Sequence, residues 1–244
     1  GVLTEEEGKL ITKGHKSKTD ITPVVKTKDN ALSLETADGK SSIQVNGRIH
    51  FDYRNYDYDD AIASTATTTG SDTFDLRRAR IGVKGKFGKY YSGEVVINVL
   101  DETRMALDVG YLDVAWFEKA KFRFGQFKMP FSLEQLTSSN NIDFMERSYV
   151  NQLAPGKKIG MMLSGEPKEG LTYAGSVFSM NDVETDSKND KASYAGRATL
   201  NFAQFSGNKD MIAHVGVAGF DSEYNVQPAN SSADGGTITR ATFL

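Results

Sequence analysis

The sequence predicts an all-β protein of antiparallel strands, either a transmembrane β-barrel or a soluble sandwich or barrel, with the membrane barrel favoured. Three observations carry that prediction. Several segments alternate apolar with polar residues at the period of a strand. Many are joined by only a few residues, too short to hold a crossover helix, so neighbours are antiparallel. Aromatic residues also gather near strand ends, with Phe51, Tyr53, Tyr56 and Tyr58 at one end and Phe87, Tyr90 and Tyr91 at the other, as interfacial girdles do.

Residues 1–30 are polar, rich in Lys, Thr and Glu, and predict a flexible lead-in to a membrane domain spanning 31–244. A first strand is expected at Ala31–Glu35, before the turn dipeptide Asp38-Gly39. The segment Ile43–Tyr53 has Ile43, Val45, Ile49 and Phe51 on one face and Gln44, Asn46, Arg48, His50 and Asp52 on the other. Arg78–Phe87 repeats the pattern, with Ile81 and Val83 opposed to Arg78, Arg80 and Lys84, and Tyr91–Leu100 follows with a less polar second face. Further strands are expected at Leu107–Phe117, Lys121–Phe127, Lys158–Gly165, Leu171–Met180, Tyr194–Ala203 and Ile212–Phe220, with a last one from Thr237. Short turns such as Gly88–Tyr90 alternate with long polar joins at Asn55–Thr73, Asn181–Ser193 and Glu223–Gly236, which fits periplasmic turns and extracellular loops.

Composition narrows the function. The chain has 244 residues, no cysteine and a formal charge of -3, so disulfides and thiolate metal sites are excluded and a dedicated nucleic-acid binder is disfavoured. No apolar run is long enough for a membrane-spanning helix, which leaves strands as the route across a bilayer. His15, His50 and His214 lie far apart, and no Ser, His and acid grouping marks an active site. Neither catalysis nor a cofactor is expected. Glycine and alanine interrupt the apolar rows, which suits a face meeting lipid better than a soluble core of large side chains.

The run Phe74–Gly85 resembles a strand of the phosphate-selective porin family of Gram-negative outer membranes. Phe122–Glu134, continuing through Leu136–Ser139 to Phe144–Ser148, resembles that family's strand leading into its constriction loop, and Leu34–Gly39 with Gly47-Arg48 is similar to its opening. The likeness covers roughly 32–220. It implies a sixteen-stranded barrel of the large-porin class, three barrels per assembly, and a water-filled pore in each, narrowed by an inward-folded loop. Only about nine or ten strands of the kind a barrel needs are evident here, so the chain is expected to be the N-terminal part of a longer protein.

In a membrane barrel the apolar rows meet lipid and the polar rows meet water. Arg48, Arg78, Arg80, Lys84, Arg123 and Arg197 then line the passage, where low-dielectric walls focus their field on anions. The long segment Lys128–Pro155 is expected to fold inward, burying Met129, Pro130, Phe131, Leu133, Leu136 and Phe144, while Lys128 and Arg147 help bind and relay the permeating anion. Asp52, Glu94, Asp113, Glu134, Asp143 and Glu146 would temper that attraction. Strict alternation puts Arg77 on the lipid face, which costs about 2–4 kcal/mol at mid-membrane unless a bulge turns it. The expected function is passive diffusion of small hydrophilic anions, phosphate among them, through an outer-membrane porin assembled as a homotrimer in lipid. A weakly selective general porin and a structural or adhesive surface protein are the alternatives.

Overall fold

In a computed structural model of the chain, residues 4–11, 13, 22–28, 31–55, 73–100, 106–180, 192–207, 213–226 and 237–243 are described. The long joins expected at 55–73, 181–193 and 223–236, with Tyr56 and Tyr58, lie mostly outside these residues. The described chain forms a 12-stranded sheet whose hydrogen-bonded order follows the chain from β1 to β12. The strands are β1 (Val24–Lys28), β2 (Ala31–Glu35), β3 (Ser42–Arg54), β4 (Thr73–Phe87), β5 (Tyr91–Asn98) and β6 (Ala106–Phe117). After them come β7 (Ala120–Lys128), β8 (Lys157–Lys168), β9 (Leu171–Phe178), β10 (Ser193–Asn201), β11 (His214–Val226) and β12 (Thr237–Phe243).

This corrects the expected architecture. The sheet is open: β1 and β12 stand at opposite ends of the strand order, and among the described residues no ladder joins them to close a sixteen-stranded barrel. Sixteen was a number carried by the family likeness, whereas the chain's own alternating segments are about as many as the strands observed. The sequence count ran low because β1 lies inside the polar lead-in, where VVKTK offers a strand-forming pair of valines but no apolar row. β11 also runs on to Val226, through the start of an expected loop, and the expected strand Tyr194–Ala203 turns into a short helix at Phe202–Phe205.

The contacts divide the chain into two compact units, the first comprising residues 1–85 and 95–108, the second 86–94 and 109–244. In the first, β1 pairs with β2 from Val24↔Glu35 to Lys28↔Ala31, and β2 with β3 from Leu32↔Val45 to Glu35↔Ser42. Along β3 the burial alternates without a break, and the apolar residues are the exposed ones. Ile49 is 73% exposed, whereas Arg48, His50 and Asp52 are half-buried. That inverts a water-soluble sheet, in which the apolar row would be covered.

β4 explains the awkward Arg77. Its exposed apolar residues are Phe74 and Leu76 at one end but Ile81 and Val83 further on, so the outward parity changes between 76 and 81. An extra residue in one strand has that effect. Arg77 and Arg78 are consequently both half-buried, and Arg77 does not project with the exposed apolar row. The outward aromatics cluster here, with the Phe74 ring 5.5 Å from Phe51 and 5.1 Å from Tyr53.

In the second unit, register aligns residues in rows across several strands. One row runs Asp113, Arg123, Met162, Ser176, Ala195 and Phe220 from β6 to β11. The adjacent row runs Tyr111, Gly125, Gly160, Phe178 and Ser193. Its large rings fit because their neighbours are glycines: a Cβ on Gly160 would stand 2.6 Å from Phe178 Cβ, and one on Gly125 would meet the Gly110 carbonyl and Tyr111 Cα. Gly125 also has φ +123, a conformation that side chains rarely adopt. Gly125→Ala is therefore expected to cost about 3 kcal/mol or more, combining backbone strain and overpacking. Urea unfolding in detergent checks this, and an unchanged midpoint would refute it.

Phe127, Met129, Phe178, Ala195 and Phe220 form a buried cluster, with Tyr111, Phe131, Met162 and Met180 packed against it. The opposite face carries exposed Phe122, Phe124, Ile159, Met161, Val215 and Val217. At the short-turn end, Trp116 Nε1 donates to Tyr91 Oη at 3.3 Å, with the two rings edge-on.

Candidate functional site

The site begins where β7 ends. Met129 N–H donates to Gly156 O at 2.9 Å, bringing the ends of segment 129–156 together beside β7 and β8. Met129 is 1% exposed in the buried cluster and Pro130 is buried beside it. The Phe131 ring lies edge-on to Phe220, 4.8 Å away, and Arg197 of β10 donates to Phe131 O at 3.2 Å. Three consecutive residues thus dock the segment on the face that carries Arg123 and Arg197. Leu133 and Phe144 do not join them: Phe144 is 81% exposed, contrary to the expected burial. Loop residues lacking a strand's alternation give no sequence signal for which apolar side chain turns inward.

Beyond the dock the segment is tied to itself. Ser132 caps a short helix, Leu133–Leu136, by accepting from Gln135 N–H. A 3-10 turn, Tyr149–Leu153, follows later. Glu134 accepts from Ser148 N–H at 2.7 Å and from Ser148 Oγ at 2.5 Å. Arg147 donates to Glu134 O at 3.0 Å and Thr137 O at 2.9 Å, and Lys128 Nζ donates to Leu136 O at 3.2 Å and Thr137 O at 3.0 Å. Asn151 donates to Gln135 Oε1 at 2.9 Å. Lys128 and Arg147, expected on charge alone to relay an anion, hold the segment's carbonyl groups.

Arg123 sits at the centre of a charged network on the same unit. Its guanidinium makes a bidentate pair with Asp113, at 2.6 and 2.8 Å, and lies 3.6 Å over the Tyr111 ring. Tyr111 Oη donates to Glu94 at 2.8 Å, and Lys121 Nζ lies 3.1 Å from Asp113. The fork geometry and aromatic stacking are what arginine supplies and lysine would not.

In the first unit, Arg78 Nη1 lies 3.2 Å from His50 Nδ1, and Arg80 Nη2 pairs with Asp108 at 3.0 Å. Arg54 bridges Asp75 at 2.8 Å and lies 3.8 Å from Asp52. Arg48 is half-buried on β3 and Lys84 exposed on β4. The structure therefore ties Lys128, Arg147 and Arg197 to segment 129–156, holds Arg123 on Asp113 and Tyr111, and places Arg48, Arg78, Arg80 and Lys84 on β3 and β4. Sequence reasoning missed Asp108 and Tyr111 as partners. No group of metal-ligating side chains exists among the described residues.

Each unit turns apolar residues outward and basic residues toward a covered polar face, and no described helix is long and apolar enough to cross a membrane. Exposed apolar rows opposite polar ones are the pattern of strands that cross a membrane. The chain matches the family described as phosphate-selective porin O and P over residues 43–241, and it belongs to that family. It is a non-catalytic transport protein of the bacterial outer membrane, in contact with lipid. Among curated proteins nothing matches the chain.

Proposed function

We propose that the polar face lines a passage for small hydrophilic anions, phosphate among them, crossed by passive diffusion. The observation that carries the proposal is the inversion of the strands: Ile49, Ile81 and Val217 are exposed, while Arg48, Arg78, Arg80 and Arg197 are at least partly covered on the opposite face. Basic groups held beside low-dielectric walls raise the local concentration of anions. Segment 129–156, docked over the same face as Arg123, narrows the passage. Residues 31–244 act in this proposal as the membrane domain, and the family likeness supports assembly as a homotrimer.

A second reading is favoured by the ion pairs. Arg80 is neutralised by Asp108, and Arg123 by Asp113, which leaves less field for an anion than the count of basic residues suggests. A weakly selective general porin would then result. Reversal potentials in planar bilayers under a potassium chloride gradient test the anion preference, and a preference for potassium would end the proposal. Block of chloride current by low phosphate separates a phosphate-preferring passage from a general one.

A further inference from the structure

We propose that Glu134 is a positioning residue that fixes the aperture set by segment 129–156, and that its carboxylate latch opens in acid. The inference rests on the proposal that this segment narrows the passage. Its geometry is independent of that proposal. Glu134 and Ser148 are distant in sequence, yet both Ser148 donors converge on the Glu134 carboxylate, at 2.7 Å from N–H and 2.5 Å from Oγ. The nine residues between Thr137 and Arg147 therefore leave and re-enter a stapled base. That excursion carries exposed Asp143, Phe144 and Met145, with Phe144 81% exposed.

The other ties at this base involve no carboxylate. Arg147 and Lys128 grip backbone carbonyls, and Gln135 and Asn151 are neutral amides. Ser148 Oγ and, next, Ser148 N–H hold the Glu134 carboxyl below its ordinary 4.5, with the Arg147 guanidinium adding to the effect. The sign follows from linkage: the carboxylate's contribution is complete above 4.5 and is lost as pH falls through the lowered folded value. On protonation one oxygen becomes a donor, and the charge-assisted bonds to Ser148 weaken. Among the described residues the Arg147 guanidinium on the same segment acts on this carboxylate, and Lys128, from β7, binds the Leu136 and Thr137 carbonyls at the end of the same helix.

Hydrogen exchange across 133–153 in the detergent-solubilised protein, together with single-channel recording from pH 7 to pH 3, tests the inference. Wild type is expected to lose protection at 147–149 and to gain open-channel fluctuation below pH 4.5. Glu134→Ala should show both effects already at pH 7. Glu134→Gln should show neither at any pH, because its amide can accept from Ser148 N–H and donate to Ser148 Oγ without titrating. Protection in wild type that is insensitive to pH, or an acid response retained by Glu134→Gln, would overturn the latch. A latch that opens by exchange while conductance and fluctuation stay fixed would overturn its role in the aperture. Ion selectivity measured in the same recordings stands or falls separately.

Discussion

Replacing Arg123 with alanine is expected to destabilise the protein by about 3–5 kcal/mol, the cost of stripping one partner from a buried ion pair. Asp113 is only 5% exposed and Arg123 19%. After truncation, Asp113 keeps Lys121, whose ammonium is a single point charge on a more exposed stem, and loses two parallel guanidinium bonds. Tyr111 loses the planar cation lying on its ring, and Phe127 a second, more distant contact with the same guanidinium. The double variant Arg123→Met with Asp113→Leu should recover most of the loss, because the buried carboxylate leaves together with its partner and Lys121, which loses its ion pair, is the more exposed group. Urea unfolding of wild type, Arg123→Met, Asp113→Leu and the double variant in a common detergent gives the coupling energy directly. A single-variant loss under about 1 kcal/mol would mean the pair is solvated, as exposed ion pairs are.

The row containing this pair shows what could be read in the sequence and what could not. The strands themselves were legible, since each alternating segment from Ala31 onward became a strand, with ends displaced by a few residues. The open sheet was not, because alternation describes each strand's two faces and carries no information on whether the sheet's ends meet. Local parity was also lost wherever a bulge intervened. Counting outward from the short β6–β7 turn, Phe117 pairs with Ala120, and regular pairing would then set Arg123 opposite Val114. The register shift between Val114 and Phe117 moves Arg123 opposite Asp113. A one-residue slip exchanges the faces of a strand, so the partnership could not be deduced from spacing. The change of parity inside β4 hid the face that Arg77 takes in the same way. Charge alone singled out Lys128 and Arg147 as candidates for binding the anion, but their bonds to Leu136, Thr137 and Glu134 carbonyls depend on a loop path that follows no period.

Met129→Ala is expected to weaken the docking of segment 129–156 by about 2–5 kcal/mol, the range for truncating a buried methionine. Met129 fills the buried cluster at the point where the segment leaves β7, and its backbone N–H is the bond to Gly156 that closes the segment's base. The cavity would sit under Phe131, so Phe131 loses support while its carbonyl still receives Arg197. The β8–β11 ladders do not depend on this side chain. The consequence should therefore be local: faster proteolysis within 133–153, with little change in the cleavage of the strands. If the docked segment narrows the passage, loosening it must raise single-channel conductance and flatten the ion preference together, because solutes then pass farther from the basic side chains of the wall. Conductance and selectivity that both match wild type, alongside accelerated cleavage of 133–153, would place the narrowest part of the passage elsewhere and leave this segment a structural brace.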